Sequence, residues 1–351
     1  MASGDRCGQG LPRAGQLEAV LTVDGERVLF TASDAEPTQI GLYAYDPDEG
    51  VTRLSEAPGV HGGTGRNGTA VLVSGSMDWP GTRVTVRSAR VLSLGPRGLR
   101  AALFLPSWHR EGDPPLPVLM DPYGGPAAQK VLAELEAGAF VSQWFAEQGF
   151  AVLVADGRGT PGRGPSWERA IYLDVAGPPL ADQVEALEAA AALRDDLDRT
   201  KVAIRGWSFG GFLAALAVLR RPDVFHAAVA GAPVTDHLLY DTHWRERHLG
   251  HPREHPQAYD RCSFIRDPPA LSRPLLLIHG LADDNVVAAH TLRLSAALLA
   301  AGRPHEVLPL PSATHRVSDA SVAENLLWHQ LGFLRRALGL AAPPGEPAPH
   351  R

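Results

Sequence analysis

Cysteine is almost absent from this chain: there are two in 351 residues, Cys7 and Cys262. That excludes a disulfide scaffold, and no C-x-x-C is present. Long apolar runs are missing as well. Nothing reaches the roughly 20 residues that a membrane-spanning helix needs. The opening Met1-Ala2-Ser3-Gly4-Asp5-Arg6-Cys7-Gly8 lacks the apolar core of a signal peptide. Surplus positive charge is lacking too. The net charge of -6 argues against nucleic acid or an anionic membrane as the main partner. No H-E-x-x-H occurs, so the run His237, His243, His248, His251 and His255 reads as a polar, partly exposed segment rather than a metal site. What remains is 44% hydrophobic and 21% charged, as expected of a soluble globular protein, and with no signal peptide and no disulfide scaffold a cytoplasmic setting is the expectation. The length allows one large domain and a smaller one.

Two regimes divide the chain. Residues 1–90 read as short strands separated by turns, among them Glu26–Thr31, Ile40–Tyr45, Thr69–Ser74 and Arg83–Arg87, with a turn cluster at Asp46-Pro47-Asp48-Glu49-Gly50. This spacing predicts a small antiparallel β module such as part of a β-propeller. Ninety residues supply little more than one blade of about four strands. From residue 91 strands and helices alternate. Buried strands are expected at Leu99–Phe104, Pro117–Met120, Phe150–Val154, Lys201–Arg205, Ala227–Ala230 and Pro274–Ile278, and a further strand at Glu306–Leu310. Helices are expected at about 133–148, 180–196, 209–220, 287–302 and 318–338. Near-continuous apolar strands between amphipathic helices predict an α/β fold over 91–340, a mostly parallel sheet with helices on both faces. The proline-rich tail, 341–351, has no core-forming residues and is expected to be disordered.

The chemistry centres on Gly206-Trp207-Ser208-Phe209-Gly210, a G-x-S-x-G with a strand before it and a helix after it. Strand, sharp turn and helix are what a nucleophile elbow requires. The turn lifts the Ser208 hydroxyl clear of the sheet, and the helix aims its free N–H groups at the same point. The Phe209 N–H is therefore an oxyanion donor. On this fold an acid and then a histidine follow the serine. Downstream, Leu275–Ile278 ends in His279-Gly280-Leu281-Ala282-Asp283-Asp284-Asn285-Val286, which offers Asp283 or Asp284 beyond a strand's carboxyl end. His315 lies between the last strand and the last helix, placed to take the serine proton and return it to the leaving group. His279, beside a glycine, reads as structural.

With these residues the chain resembles the prolyl oligopeptidase family of serine peptidases, in its dipeptidyl peptidase IV branch. The resemblance rests on Asp121-Pro122-Tyr123-Gly124-Gly125-Pro126, Asp156-Gly157-Arg158-Gly159, the G-W-S-F-G-G elbow, Ala232-Pro233-Val234, Tyr240-Asp241-Thr242-His243-Trp244-Arg245-Glu246-Arg247, and His279–Val286. It spans about 97–338, and the strand-rich start resembles the end of the family's propeller. It implies an α/β-hydrolase fold and cleavage of peptides after proline or alanine through an acyl-enzyme, with no metal or organic cofactor. It implies Ser208 as nucleophile, Asp283 as triad acid and His315 as base. Tyr123 is implied as second oxyanion donor beside the Phe209 N–H. Val234, Tyr240, Trp244, Val286 and Phe209 are implied as the pocket for the P1 residue, and Asn285 as donor to the preceding carbonyl. A peptide is the implied partner, and a homodimer through the hydrolase surface is compatible with it. Two departures stand out. No glutamate pair is assignable to hold a substrate amino terminus, and His237 and Trp244 replace residues usual in the pocket wall. Two other readings stay open: a general esterase or acyl-peptide hydrolase on the same fold, and a shortened non-catalytic chain that only binds, through unpaired strand edges.

Overall fold

The computed structural model describes residues 16–340, apart from 25, 34–35, 49, 56–57, 67–68, 76–89 and 134–136. The expected strand Arg83–Arg87 and the proline-rich tail lie outside the described residues.

The first sheet has six strands among the described residues: β1 (Gln16–Asp24), β2 (Arg27–Ser33), β3 (Ile40–Asp46), β4 (Gly50–Arg53), β5 (Val60–Arg66) and β6 (Thr69–Gly75). Their order is β1-β2-β3-β5-β6, with β4 hairpinned onto β3. The pairs are antiparallel except β3 with β5, which touch in parallel at the single pair Ile40 and Val60. The β3–β4 turn closes because the Asp46 carboxylate accepts the Asp48 N–H at 2.9 Å and Gly50 takes φ +79°. Phe30, Ala32 and Tyr43 form the small core of this sheet.

The second sheet has eight strands: β7 (Arg90–Leu94), β8 (Leu99–Phe104), β9 (Leu116–Met120), β10 (Ala151–Asp156), β11 (Leu197–Trp207), β12 (Ala227–Gly231), β13 (Leu275–Gly280) and β14 (Glu306–Leu310). Their order is β14-β13-β12-β11-β9-β10-β8-β7. From β14 to β10 all neighbours are parallel; β8 runs antiparallel to both β10 and β7. Every residue of β10 and β13 is buried, as the continuous apolar runs of a sheet covered on both faces require.

Among the described residues eight α-helices accompany these strands: α1 (Ala137–Glu147), α2 (Pro165–Glu168), α3 (Gly177–Leu193), α4 (Phe209–Arg220), α5 (Thr242–Leu249), α6 (Pro256–Cys262), α7 (Ala289–Ala300) and α8 (Ala320–Leu338). α3, α4, α6 and α7 pack on one face through Leu187, Phe212, Leu216, Cys262 and Leu294. α1 and α8 pack on the other through Phe145, Leu331 and Leu334. α8 is bounded as its sequence suggests: the Asp319 carboxylate caps Val322 N, and Gly339 ends the helix at φ +63°. No helix among the described residues is long and apolar enough to cross a membrane.

The order places β11 at the centre, where the chain, having built β9 and β10 on one side, crosses to build β12–β14 on the other. Loops beyond the carboxyl ends of β9, β11, β12, β13 and β14 therefore converge, as they do at the switch point of an open parallel sheet.

Candidate active site

Ser208 stands between β11 and α4 with φ 58° and ψ -117°, a conformation that costs a non-glycine residue energy. Packing holds it there. Ser208 N donates to the Gly231 carbonyl at 2.9 Å, and its own carbonyl accepts Phe212 N at 2.8 Å to start α4. A Cβ on Gly210 would collide with the Pro122 carbonyl oxygen, and one on Gly211 with that of Gly231. The elbow needs glycine at both positions because α4 lies that close to β9 and β12. The Ser208 side chain makes no capping bond to α4. Phe209 N is the first N–H of α4 and has no partner within the helix.

The loop after β13 brings Asp283 to the site and buries it, with 6% exposure. One carboxylate oxygen, Oδ1, accepts Asn285 N at 2.9 Å and Val286 N at 2.8 Å. The other, Oδ2, accepts Nδ1–H of His315 at 2.8 Å. That bond puts the proton on Nδ1 and leaves the Nε2 lone pair free to act as a base. Asp284, the neighbouring acid that strand context also offered, is exposed. Backbone bonds tie the two loops together, Leu281 N to Leu310 O at 2.9 Å and Ala282 N to Ala313 O at 3.1 Å. Trp207 Nε1 donates to the His315 carbonyl at 2.6 Å, which fastens the histidine loop to the elbow itself. His279 is a strut. Its Nε2–H donates to the Val286 carbonyl at 2.7 Å and its Nδ1 accepts from Thr291 Oγ1 at 2.7 Å, while burial holds its pKa down.

Tyr123 approaches from the loop after β9, its hydroxyl facing the Ser208 side chain and its ring 5.8 Å from that of Phe209. Burial above all, then the neighbouring Tyr240 hydroxyl, raises its pKa, so it is a neutral O–H donor. The turn that carries it is anchored by Asp121, whose carboxylate meets Arg205 Nη1 at 2.9 Å, Lys130 Nζ at 3.2 Å and Ser142 Oγ at 3.1 Å.

Val234 and Val286 are buried behind the site, and Tyr240 and Trp244 stand half-buried beside it with rings 6.1 Å apart. Asn285 is exposed at the mouth. Its Oδ1 accepts the Tyr240 hydroxyl at 3.0 Å, which turns its amide N–H₂ away from the tyrosine. α5 presents Trp244 because Asp241 caps it, accepting Trp244 N at 2.8 Å.

One residue departs from the expected partly exposed segment. His243 is exposed and His248, His251 and His255 are half-buried, but His237 is 1% exposed and packs edge-on against Phe212, ring centres 5.3 Å apart. Burial pushes its pKa well below the ordinary value. Three contributors are not identifiable from sequence patterns. Trp207 was visible only as a letter of the elbow. Arg205 and Lys130 matter only because the sheet brings them to Asp121. Among the described residues no group of histidine, cysteine and carboxylate side chains could hold a metal ion.

Comparison with known proteins places this geometry. The chain is 36% identical to dipeptidyl peptidase 8 of Mus musculus over 227 residues, 64% of this chain and 25% of that protein. It is 27% identical to prolyl endopeptidase FAP of Mus musculus over 232 residues, 64% of this chain and 30% of that protein. The chain thus spans about a quarter of the length of the curated relatives it matches. The crystal structure of Porphyromonas gingivalis dipeptidyl peptidase 4 superposes with a TM-score of 0.85 at 24% identity, covering 93% of this chain and 50% of that one, a likeness of fold. The model of the prolyl oligopeptidase family matches residues 138–341, which include the elbow, the acid loop and the histidine loop, and the chain belongs to that family.

Proposed function

We propose that this chain is a serine peptidase that cleaves peptides after proline or alanine through an acyl-enzyme, in the manner of a dipeptidyl peptidase IV. The observation that carries the reading is the His315–Asp283 bond of 2.8 Å, on a loop that the Trp207–His315 carbonyl bond fastens to the strained Ser208 elbow. Ser208 Oγ attacks the P1 carbonyl while His315 Nε2 takes its proton. The Nδ1–H bond to Asp283 fixes the tautomer and stabilises the imidazolium that forms. The Phe209 N–H and the Tyr123 hydroxyl meet the negative charge that develops on the carbonyl oxygen. The imidazolium then protonates the leaving amine, and a water molecule activated by the same histidine releases the acid. Val234, Val286, Phe209, Tyr240 and Trp244 enclose a compact apolar space suited to a small or ringed P1 side chain, and Asn285 donates to the carbonyl before it. The paucity of cysteine suits a cytoplasmic setting.

A panel of dipeptidyl anilides with free and acetylated amino termini, run beside simple esters, tests this. Proline or alanine at P1 is expected to exceed leucine by about 100-fold in kcat/KM, the scale on which a pocket discriminates size. Equal turnover of esters with no preference at P1 would make the chain a general esterase instead.

A further inference from the structure

Arg245 follows Trp244 on α5 and turns inward, with 3% exposure. Its guanidinium carbon lies 4.5 Å from the centre of the Tyr240 ring and 4.2 Å from that of Trp244, so the two aromatic residues assigned to the P1 pocket clasp a cation between them. Nε and Nη1 are sealed from solvent with no hydrogen-bond partner, and no carboxylate among the described residues pairs with the group. Burial lowers the Arg245 pKa to about 10, which leaves it charged at neutral pH. Two more donor-bearing side chains lie in the electrostatic reach of this cation. His237 is buried with both ring nitrogens unpartnered, and His290 is buried with Nε2 unpartnered. The Cys262 and Leu239 backbones face these imidazoles without closing a hydrogen bond of good geometry. A row of rings connects this group to the oxyanion side. His237 lies 5.3 Å from Phe212, Phe212 lies 5.1 Å from Phe209, and Phe209 lies 5.8 Å from Tyr123.

An unpaired buried charge is unfavourable, and two aromatic faces offset only part of its lost hydration. A planar guanidinium with free N–H groups is the side chain best shaped to bind a carboxylate. Once Ser208 holds the P1 carbonyl, the P1 side chain is the part of the substrate directed between Tyr240 and Trp244. We propose that Arg245, supported by His237, gives the P1 pocket an acid-recognising floor, so that this chain cleaves after aspartate or glutamate as well as after small apolar residues. The proposal rests on Ser208 as nucleophile and on Tyr240 and Trp244 as P1 walls.

The test compares dipeptidyl anilides carrying alanine, proline, aspartate, glutamate or asparagine at P1, on the whole chain and on Arg245→Met. The wild type is expected to cleave the aspartyl or glutamyl substrate about 100-fold better than the asparaginyl one, because asparagine offers no charge to the guanidinium. Arg245→Met is expected to lower the ratio of aspartyl to alanyl kcat/KM by about 100-fold. Arg245→Lys restores charge without the planar fork and is expected to recover part of that ratio. The wild-type ratio of aspartate to asparagine reads the same recognition should a variant not fold. Alanyl and prolyl turnover with acidic P1 residues rejected, or an aspartyl-to-alanyl ratio unmoved by Arg245→Met, overturns this proposal alone. No turnover of any substrate, with no reaction of Ser208 toward a phosphonate, overturns the underlying peptidase reading and this proposal with it.

Discussion

Asp283 shows how one side chain sorts two jobs by its two oxygens. Oδ1 accepts two backbone N–H groups and fixes the acid loop, while Oδ2 alone faces His315. Replacing Asp283 with asparagine keeps the shape but can offer His315 an N–H₂ where it needs an acceptor, and the imidazole then turns to the wrong tautomer. For a triad acid the expected loss in kcat is about 10⁴-fold, with a melting temperature close to that of the parent. Asp284→Asn, at an exposed position, is expected to stay within a few-fold of the parent rate. Steady-state kinetics of the two variants decide the assignment; similar small losses in both would remove Asp283 from the catalytic role. Chain order and strand context left these adjacent aspartates equivalent, because both follow the same strand, and only the family resemblance picked out Asp283. Only the fold of the Gly280–Val286 loop distinguishes the buried one from the exposed one.

At the level of elements, legibility followed burial. β8, β10, β12 and β13 were readable because each is a short apolar run sealed on both faces. The helix after Ser208 was readable because it is nearly all buried. β1 escaped notice for the opposite reason: Leu17, Val20 and Val23 face solvent, and register shifts at Leu17–Ala19 and Val20–Thr22 break the alternation that would reveal a strand. β5, Val60-His61-Gly62-Gly63-Thr64-Gly65-Arg66, has too many glycines to carry a strand pattern and is held by pairing with β6. α5 is polar almost throughout and exists because Asp241 caps it and Arg245 and Leu249 are buried beneath it. No periodicity announced α5, and apart from Trp244, which the family resemblance gave to the pocket, the sequence did not say which of its residues turn inward. Arg245 appeared there only as part of a motif. The elbow and the acid and histidine loops were legible because their chemistry depends on chain order and strand context, which sequence does encode.

Across the whole molecule, the small N-terminal sheet is bonded to the catalytic one. Ser33 Oγ donates to the Gly162 carbonyl at 3.0 Å, Ala133 N to the Thr38 carbonyl at 2.6 Å, and Arg100 pairs with Glu36 at 2.9 Å. The loops so braced, 129–133 and 157–164, flank the strands that carry Tyr123 and lead to Ser208. Stability should also carry the signature of buried histidines. His248 and His290 have pKa values lowered to about 4, chiefly by burial, and His237 is lowered well below its ordinary value by the same cause. Between pH 4 and about 6.5 the unfolded chain protonates these rings while the folded chain does not. The stabilisation is therefore complete above about pH 6.5 and is lost as pH falls toward 4, before most carboxylates titrate. Urea unfolding from pH 8 to 4.5 is expected to show stability level above neutrality and declining from about pH 6.5; a curve flat down to pH 5 would contradict this.

The central claim is that Ser208, His315, Asp283 and the oxyanion donors form one working site in this chain. A fluorophosphonate probe reads that assembly directly, because only a serine activated by its base and facing donors for the new P–O⁻ group reacts. Peptide mapping of the labelled whole chain is predicted to place one equivalent of probe on Ser208, absent in Ser208→Ala. A folded, monodisperse chain that takes up no label, or takes it up equally in Ser208→Ala, would contradict the account.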